Sequence, residues 1–459
     1  MPSKVSDETP TSQETTITYG RSGVTGPLLV ALYIAIILSP LLLSLAFGGK
    51  TDGTFSSQLA VSLSMIGFPI LAMQFVLSAR LKWVERPFGM DRVYQFHKAM
   101  GMFVGVLLLT HPIAVAASSG RWTLLYGLTV PWYIWVGRAA LLLLVTHVVL
   151  AISKRLVKMD YQKWKAMHSA FAVLILTGGF VHSWFVGDDL KLTTVRVLWI
   201  ALFAGATAAY AWHRMLRPFR LRRWAYDVAD VRQELDDVWT VTLAPKSGTR
   251  HRAHLPGQYH YLTLYRAGDK PAEEHPFTIS SSPTQVGVVS STIKASGDFT
   301  QTIGRTKPGD TAQIHGPFGR FSYVLHPDEH DLVFIAGGVG ITPLMSMLRH
   351  MRDTGAATRV LLLYANKTPK DILFGEELQA MQGGDQPFLN VVDIVSQPSE
   401  SWTGVTGRID REKIARYCGT LDGKTFYVCG PLGLMDTAVS DLKSLGVSDS
   451  RIRYEYFRQ

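Results

Sequence analysis

Six long apolar runs, all before residue 214, constrain this 459-residue chain more than any other feature. They fall at 26–47, 56–79, 97–118, 131–153, 165–186 and 192–212. Each approaches the roughly 20 residues a helix needs to cross a bilayer. The rest is charged, strand-rich sequence, so the 47% hydrophobic content averages two unlike halves. The expected fold class is therefore a multidomain membrane protein. An all-α six-helix bundle over 23–215 comes first. An antiparallel β-barrel over 216–327 and an α/β parallel-sheet domain over 328–459 follow. Residues 1–22 are polar, rich in Ser and Thr, and read as a disordered tail rather than a secretory signal.

A formal net charge of +10 could suggest nucleic acid as a partner, but its distribution argues against that. Arg80, Lys82, Arg86 and Arg92 flank one side of the spans, as do Lys154, Arg155, Lys158 and Lys163. Arg214, Arg217, Arg220, Arg222 and Arg223 follow the last span. The opposite loops carry only Lys50, Arg121 and Lys191. Basic loops stay on the cytoplasmic side, which places both termini inside a cell membrane, plasma or inner. The lipid bilayer is the expected partner and nucleic acid is not. Two cysteines, Cys418 and Cys429, argue against a disulfide framework or a zinc site.

Within the apolar half, four histidines repeat one spacing: 97 to 111, then 168 to 182, fourteen residues each. On a helix that offset is roughly 21 Å of rise and ~40° short of four turns, so each pair shares a face. Buried ionisable rings in a membrane are costly and mark function. The third and fifth spans run in the same direction. His97 therefore matches His168 near the inner surface, and His111 matches His182 near the outer one. Two imidazoles from different helices, without a Cys or carboxylate partner, fit axial ligation of haem iron better than tetrahedral zinc. Copper would leave the spacing unexplained. His147 in the fourth span reads as structural. Gly101 and Gly105 read as close helix contacts, whereas Gly178 and Gly179 could leave room for a macrocycle.

From about residue 222 short alternating runs replace the spans. Strand-like 239–243 and 259–264 are followed by His275–Pro283, Ser291–Thr300 and His315–Phe321, a pattern of small antiparallel barrels. Leu332–Met351 then reads as strand, glycine turn and helix. Gly337, Gly338 and Gly340 allow close backbone approach, and Pro343 suits a first helical turn. Amides at such a helix start favour a pyrophosphate. Strand-like 360–366, 389–396 and 425–431, with a helix near 376–382, extend this into a nucleotide-binding parallel sheet.

With the paired histidines, HPFT, GPFG, GGVGITP and YVCGP in that order, the chain resembles the NADPH oxidase and ferric reductase superfamily. The likeness is to its compact prokaryotic form, without a calcium-binding extension, and covers about 26–459. It implies FAD, two haems of b type, and NADPH with NADH as the alternative. His275, Pro276, Phe277 and Ser280 would shape the flavin site, and Thr278 would contact the isoalloxazine edge. Lys294 and Thr300 would hold the FAD pyrophosphate. Gly337, Gly338, Gly340, Thr342 and Pro343 would take the pyrophosphate of the nicotinamide nucleotide. Cys429 would lie near the nicotinamide, with Gly430 and Pro431 shaping the pocket. Phe457, in a terminus resembling E-x-F, would lie against the flavin, although two residues follow it. Thr278, Cys429 and Phe457 would thus be the catalytic set. Lys367 and Arg408, with Thr368, Lys370 and Ser396 nearby, are candidates for a 2′-phosphate.

The expected activity is an NAD(P)H oxidase or ferric reductase-type oxidoreductase. Electrons would pass from NADPH through FAD and two stacked haems to an outer acceptor. Short outer loops leave little sequence for a chelate site, which favours O2, reduced to superoxide, over a ferric chelate. A haem-free, membrane-anchored flavin reductase serving a partner protein is a further alternative. A transporter is disfavoured by the absence of paired intramembrane charges. No calcium loop or inserted regulatory domain is legible, so no obligatory protein activator is expected.

Overall fold

The computed structural model describes residues 25–47, 54–153, 159, 161–221, 223, 225–247, 249, 253–268, 273–385 and 387–455. The chain divides into two compact units at residue 220. Among the described residues, the first unit holds six helices long and apolar enough to cross a membrane. These are α1 (Thr25–Phe47), α2 (Phe55–Ser78), α3 (Met90–Ser119), α4 (Trp132–Ile152), α5 (Tyr161–Val186) and α6 (Thr193–Ala211). Their outward faces stay apolar: Leu142 is 68% exposed and Leu28 62%. Water would not tolerate such a continuous surface, whereas lipid matches it.

α2 is the buried centre, with Phe68, Ile70, Ala72, Phe75 and Leu77 turned inward. Phe68 stacks on Trp199 of α6 at 4.4 Å between ring centres. The Trp199 indole donates to Ser183 Oγ of α5 at 2.8 Å, which ties three spans together. Two boundaries differ from the sequence reading. The basic stretch 80–96 contains a short helix, Lys82–Phe88, and the first turns of α3. The sixth helix runs on through a π-type segment, Trp212–Leu216, to Leu221. In both places the hydrogen-bonded ladder continues past the apolar run, because charged side chains can project outward without ending a helix.

The second unit begins with an antiparallel sheet in the order β4-β3-β6-β1-β2-β5. Its strands are β1 (Ala225–Leu235), β2 (Val238–Pro245), β3 (Tyr259–Tyr265), β4 (Glu274–Thr278), β5 (Val289–Lys294) and β6 (Thr311–Phe318). The two edges meet where the Ser280 amide donates to the Ser290 carbonyl at 2.8 Å. Val228, Val241, Leu243, Leu262, Ile293 and Ile314 fill the interior. Alternate residues of each strand point inward, as the pleat requires.

A parallel sheet follows, in the order β10-β9-β8-β7-β11-β12. It comprises β7 (Asp331–Gly337), β8 (Arg359–Asn366), β9 (Phe388–Val395), β10 (Val405–Thr406), β11 (Thr425–Cys429) and β12 (Ile452–Tyr454). Helices α7 (Ile341–Thr354), α8 (Gly375–Gln382), α9 (Arg411–Cys418) and α10 (Leu432–Ser444) accompany it. Phe334 and Ala336 enter one core while Val333 and Ile335 enter the other. This two-sided burial explains why β7 reads as an unbroken apolar run. The strand order reverses between β7 and β11, and ligands of such sheets bind at that crevice.

Candidate functional site

In the membrane unit, α3 carries His97 and His111, and α5 carries His168 and His182. The His97 and His168 rings face each other at 6.2 Å between centres. A metal about 2 Å from one nitrogen of each ring places opposed ring centres roughly 6 Å apart. The pair therefore fits one shared axial metal. His97 Nδ1 is buried without a hydrogen-bond partner among the described residues. Trp164 stacks on His168 at 4.8 Å, and His147 lies 4.3 Å from the same ring. That distance is too short for His147 to stand opposite His168 across a metal. No sequence spacing places it there, since the contact joins two helices.

The second pair is anchored more firmly. His111 Nδ1 lies 2.7 Å from the Ala60 carbonyl of α2. His182 Nδ1 lies 2.9 Å from the Tyr133 carbonyl of α4. A carbonyl can only accept, so Nδ1 carries the proton in both rings and Nε2 keeps its lone pair for a metal. Gly137 makes the second anchor accessible: a Cβ there would fall 2.4 Å from His182 Nδ1. Gly178, by contrast, packs against Ala140, 3.0 Å from where its Cβ would be, and Gly179 faces Phe68. Gly178 thus closes a helix contact instead of opening a cradle. Gly105 approaches Val148, while Gly101 faces open space. The described residues contain no cluster of three or more His, Cys, Asp or Glu suited to a metal. The imidazoles on α3 and α5 are therefore an inner pair, His97 and His168, 6.2 Å apart, and an outer pair, His111 and His182, each held by a backbone carbonyl.

In the second unit, β4 presents His275, Pro276, Phe277 and Thr278, paired against β3 from Leu262 to Tyr259. His275 stacks on Phe299 at 4.0 Å. The Ser280 hydroxyl turns into the barrel, 2.9 Å from Thr292 Oγ1, which in turn meets Thr240 Oγ1 at 2.8 Å. Thr300 Oγ1 accepts from the Ser296 and Gly297 amides at 3.0 and 2.8 Å, closing the turn after β5. Lys294, at the end of β5, pairs with Asp237 at 3.1 Å on the exposed surface.

At the crevice of the parallel sheet two glycine segments touch. A Cβ on Gly340 would lie 2.5 Å from Gly430 Cα and 2.6 Å from the Cys429 carbonyl. Only bare backbone allows the turn after β7 to meet the turn after β11. Gly338 has φ +51, and the Thr342 hydroxyl donates to the Val339 carbonyl at 3.0 Å. Pro343 lies in the first turn of α7. Gly337 lies against Pro431 and Leu434. Cys429 is a buried free thiol, pushed up to about 12 by burial and by the Glu455 carboxylate. It is therefore a neutral thiol at physiological pH. Glu455 also accepts from the Arg320 amide at 2.5 Å, joining the last strand to the barrel. Phe457 lies outside the described residues.

Ser396 and Gln397 donate to the Asn366 and Lys367 carbonyls at 3.0 and 2.7 Å. The Gly407 amide donates to the Val395 carbonyl at 2.9 Å, which brings Arg408 beside them. Lys367, Ser396 and Arg408 are exposed at this one edge. Thr368 caps the following turn against Asp371.

Three family models match in the same order as these units. A ferric reductase like transmembrane component covers residues 63–179, an oxidoreductase FAD-binding domain 231–323, and an oxidoreductase NAD-binding domain 334–440. The chain carries the domain set of the NADPH oxidase and ferric reductase superfamily. It is an NAD(P)H-dependent oxidoreductase with FAD-binding and NAD-binding domains and a multi-pass membrane unit. A plasma membrane-associated coenzyme Q6 reductase of Saccharomyces cerevisiae is 29% identical over 60% of this chain and 88% of its own length. The reductase subunit of a glycine betaine monooxygenase of Pseudomonas aeruginosa is 31% identical over 44% of this chain. An NADPH nitrate reductase of Emericella nidulans is 32% identical over 39% of it. The chain spans 56% and 23% of those last two proteins. Among solved structures, a flavohemoglobin of Malassezia yamatoensis gives a TM-score of 0.49 at 20% identity, over 88% of this chain and 99% of that one.

Proposed function

We propose that this protein carries electrons from cytosolic NADPH through FAD and two stacked haems to an acceptor outside the cell. The observation that carries this reading is the two imidazole pairs that α3 and α5 supply. The inner rings lie 6.2 Å apart, and both outer rings are fixed by a backbone carbonyl. Bound FAD would accept a hydride and release electrons singly, and haem iron would carry them one at a time.

The chain's own residues supply position. His97 and His168 would hold the inner haem, and His111 and His182 the outer one. Thr278 would meet the flavin edge, while Gly337, Gly338 and Gly340 would receive the nucleotide pyrophosphate at the start of α7. Lys367 and Arg408, exposed at the sheet edge, would favour a 2′-phosphate, which supports NADPH over NADH. Cys429, a neutral thiol, would border the nicotinamide without taking up a proton. No step of this relay needs a protein acid or base. The basic segments at 80–96 and 213–223 support termini on the cytoplasmic side of a cell membrane.

The acceptor we favour is O2, reduced by one electron to superoxide, with ferric chelate as the alternative on the same electron path. The described outer connection between α5 and α6 is only a short 3-10 turn, Asp188–Lys191, which builds little chelate-binding surface. The test compares oxygen and ferric chelates side by side, using detergent-purified protein with NADPH and FAD. Superoxide-dismutase-sensitive dye reduction is expected. Its absence, together with rapid reduction of ferric chelates, would replace the oxidase reading with the reductase one.

A further inference from the structure

The segment that follows the HPFT strand is fastened to one face of α7 by three residues of that helix. The Ser346 hydroxyl donates to the Ser281 carbonyl at 2.7 Å. Arg349 Nη1 donates to the Ser280 carbonyl at 2.7 Å. Asp353 Oδ2 accepts from the Thr284 hydroxyl at 2.5 Å. Positions 346, 349 and 353 fall on one helical stripe. Their common helix starts at the glycine turn that meets Cys429 and Gly430.

Arg349 is the centre of this contact. Its Nε and Nη2 bind both oxygens of Glu377 on α8, at 2.9 and 2.6 Å. The pair is bidentate, and the arginine side chain is only 12% exposed. Burial raises the Glu377 carboxyl pKa, but Arg349 and Arg352 outweigh that and hold it below its ordinary value. Phe374 places its ring 4.7 Å from the guanidinium while its own backbone sits at φ +62. A left-handed aromatic residue is strained, and such strain persists only where surroundings over-determine it. Nε, Nη1 and Nη2 each donate one hydrogen bond within this contact, so three of the five guanidinium N–H groups hold Glu377 and the Ser280 carbonyl.

We propose that Arg349 is a positioning residue for hydride transfer. It locks the flavin-side segment 280–284 to the helix that opens at the nucleotide turn, and so sets the approach of nicotinamide to flavin. This rests on the reading that FAD and NAD(P)H occupy the barrel and the parallel sheet. In the step, a hydride carrying two electrons leaves the nicotinamide ring and joins the flavin. The nucleotide is oxidised, the flavin is reduced, and Arg349 exchanges no proton.

The test is anaerobic rapid mixing of the full chain in detergent with NADPH, comparing wild type, Arg349→Lys, Arg349→Met and Glu377→Gln. It reads the limiting rate of flavin reduction, the nucleotide Kd and the long-wavelength nicotinamide–flavin charge-transfer absorbance. Misplaced reactants lose rate steeply, so Arg349→Met should lower the limiting rate about tenfold to 100-fold with a diminished charge-transfer band. FAD content, reduction by dithionite and nucleotide Kd should stay near wild type, and Arg349→Lys should recover part of the rate. Should Arg349→Met lose its FAD, Glu377→Gln decides: it keeps the arginine but frees its anchor, and should shift both readouts in the same direction. An unchanged rate and band, or a loss confined to Kd, would overturn the proposal. A wild-type flavin that neither NADPH nor NADH reduces would overturn the hydride reading itself.

Discussion

Gly137 shows how one missing side chain can govern the seating of a histidine ring. Its backbone lies against the His182 ring, while Tyr133, one turn earlier, supplies the carbonyl that fixes that ring. A methyl group there would fall 2.4 Å from Nδ1, so the ring or the helix must move. Overpacking of this kind typically costs about 1–3 kcal/mol. Gly137→Ala should therefore loosen the outer haem and leave the inner one in place. Pyridine haemochrome analysis per mole of purified protein should show one haem lost of two, and retention of both would contradict the placement. Nothing in the sequence marks Gly137, since one glycine in an apolar run is ordinary. The four histidines are legible because their spacing repeats. His147 is not legible as a neighbour of His168, because that contact joins α4 to α5.

Among the elements, the parallel sheet was easiest to read and its edges hardest. β7 is an apolar run ending in a glycine turn, and both features are local. The two-residue β10 and the three-residue β12 are too short to show any alternation. They exist because neighbouring strands offer free ladder groups. The meeting of Gly340 with Gly430 is likewise nonlocal, ninety residues apart in sequence (340 to 430). It yields a prediction at this scale. Gly340→Ala would drive a methyl into the Cys429–Gly430 backbone at the turn after β11 and separate β7 from β11 at their carboxyl ends. FAD should stay bound and dithionite should still reduce it, but NADPH should bleach the flavin at least ~10-fold more slowly. Wild-type bleaching by NADPH in this variant would show that the crevice is not the nucleotide site.

At the scale of the whole molecule, composition divided the chain into an apolar half and a soluble half. The six membrane-crossing helices follow from length and apolarity alone. Their ends do not. Helices run on past the apolar runs into Met90 and Leu221, since charged side chains project outward without stopping a helix. The interface between barrel and sheet was also unreadable. Arg349 and Glu377 are unremarkable surface-type residues until the fold brings them together and sets Arg349 against the Ser280 carbonyl. The whole account depends on whether the histidine pairs hold haem and receive electrons from the nucleotide side. The most direct measurement is the absorption spectrum and haem content of detergent-purified protein, before and after anaerobic NADPH addition, for wild type, His97→Leu and His182→Leu. The account predicts two haems per chain in wild type, both reduced by NADPH through FAD, and one haem remaining in each variant. Purified protein without a haem Soret band, or with a haem content that neither substitution changes, would contradict it.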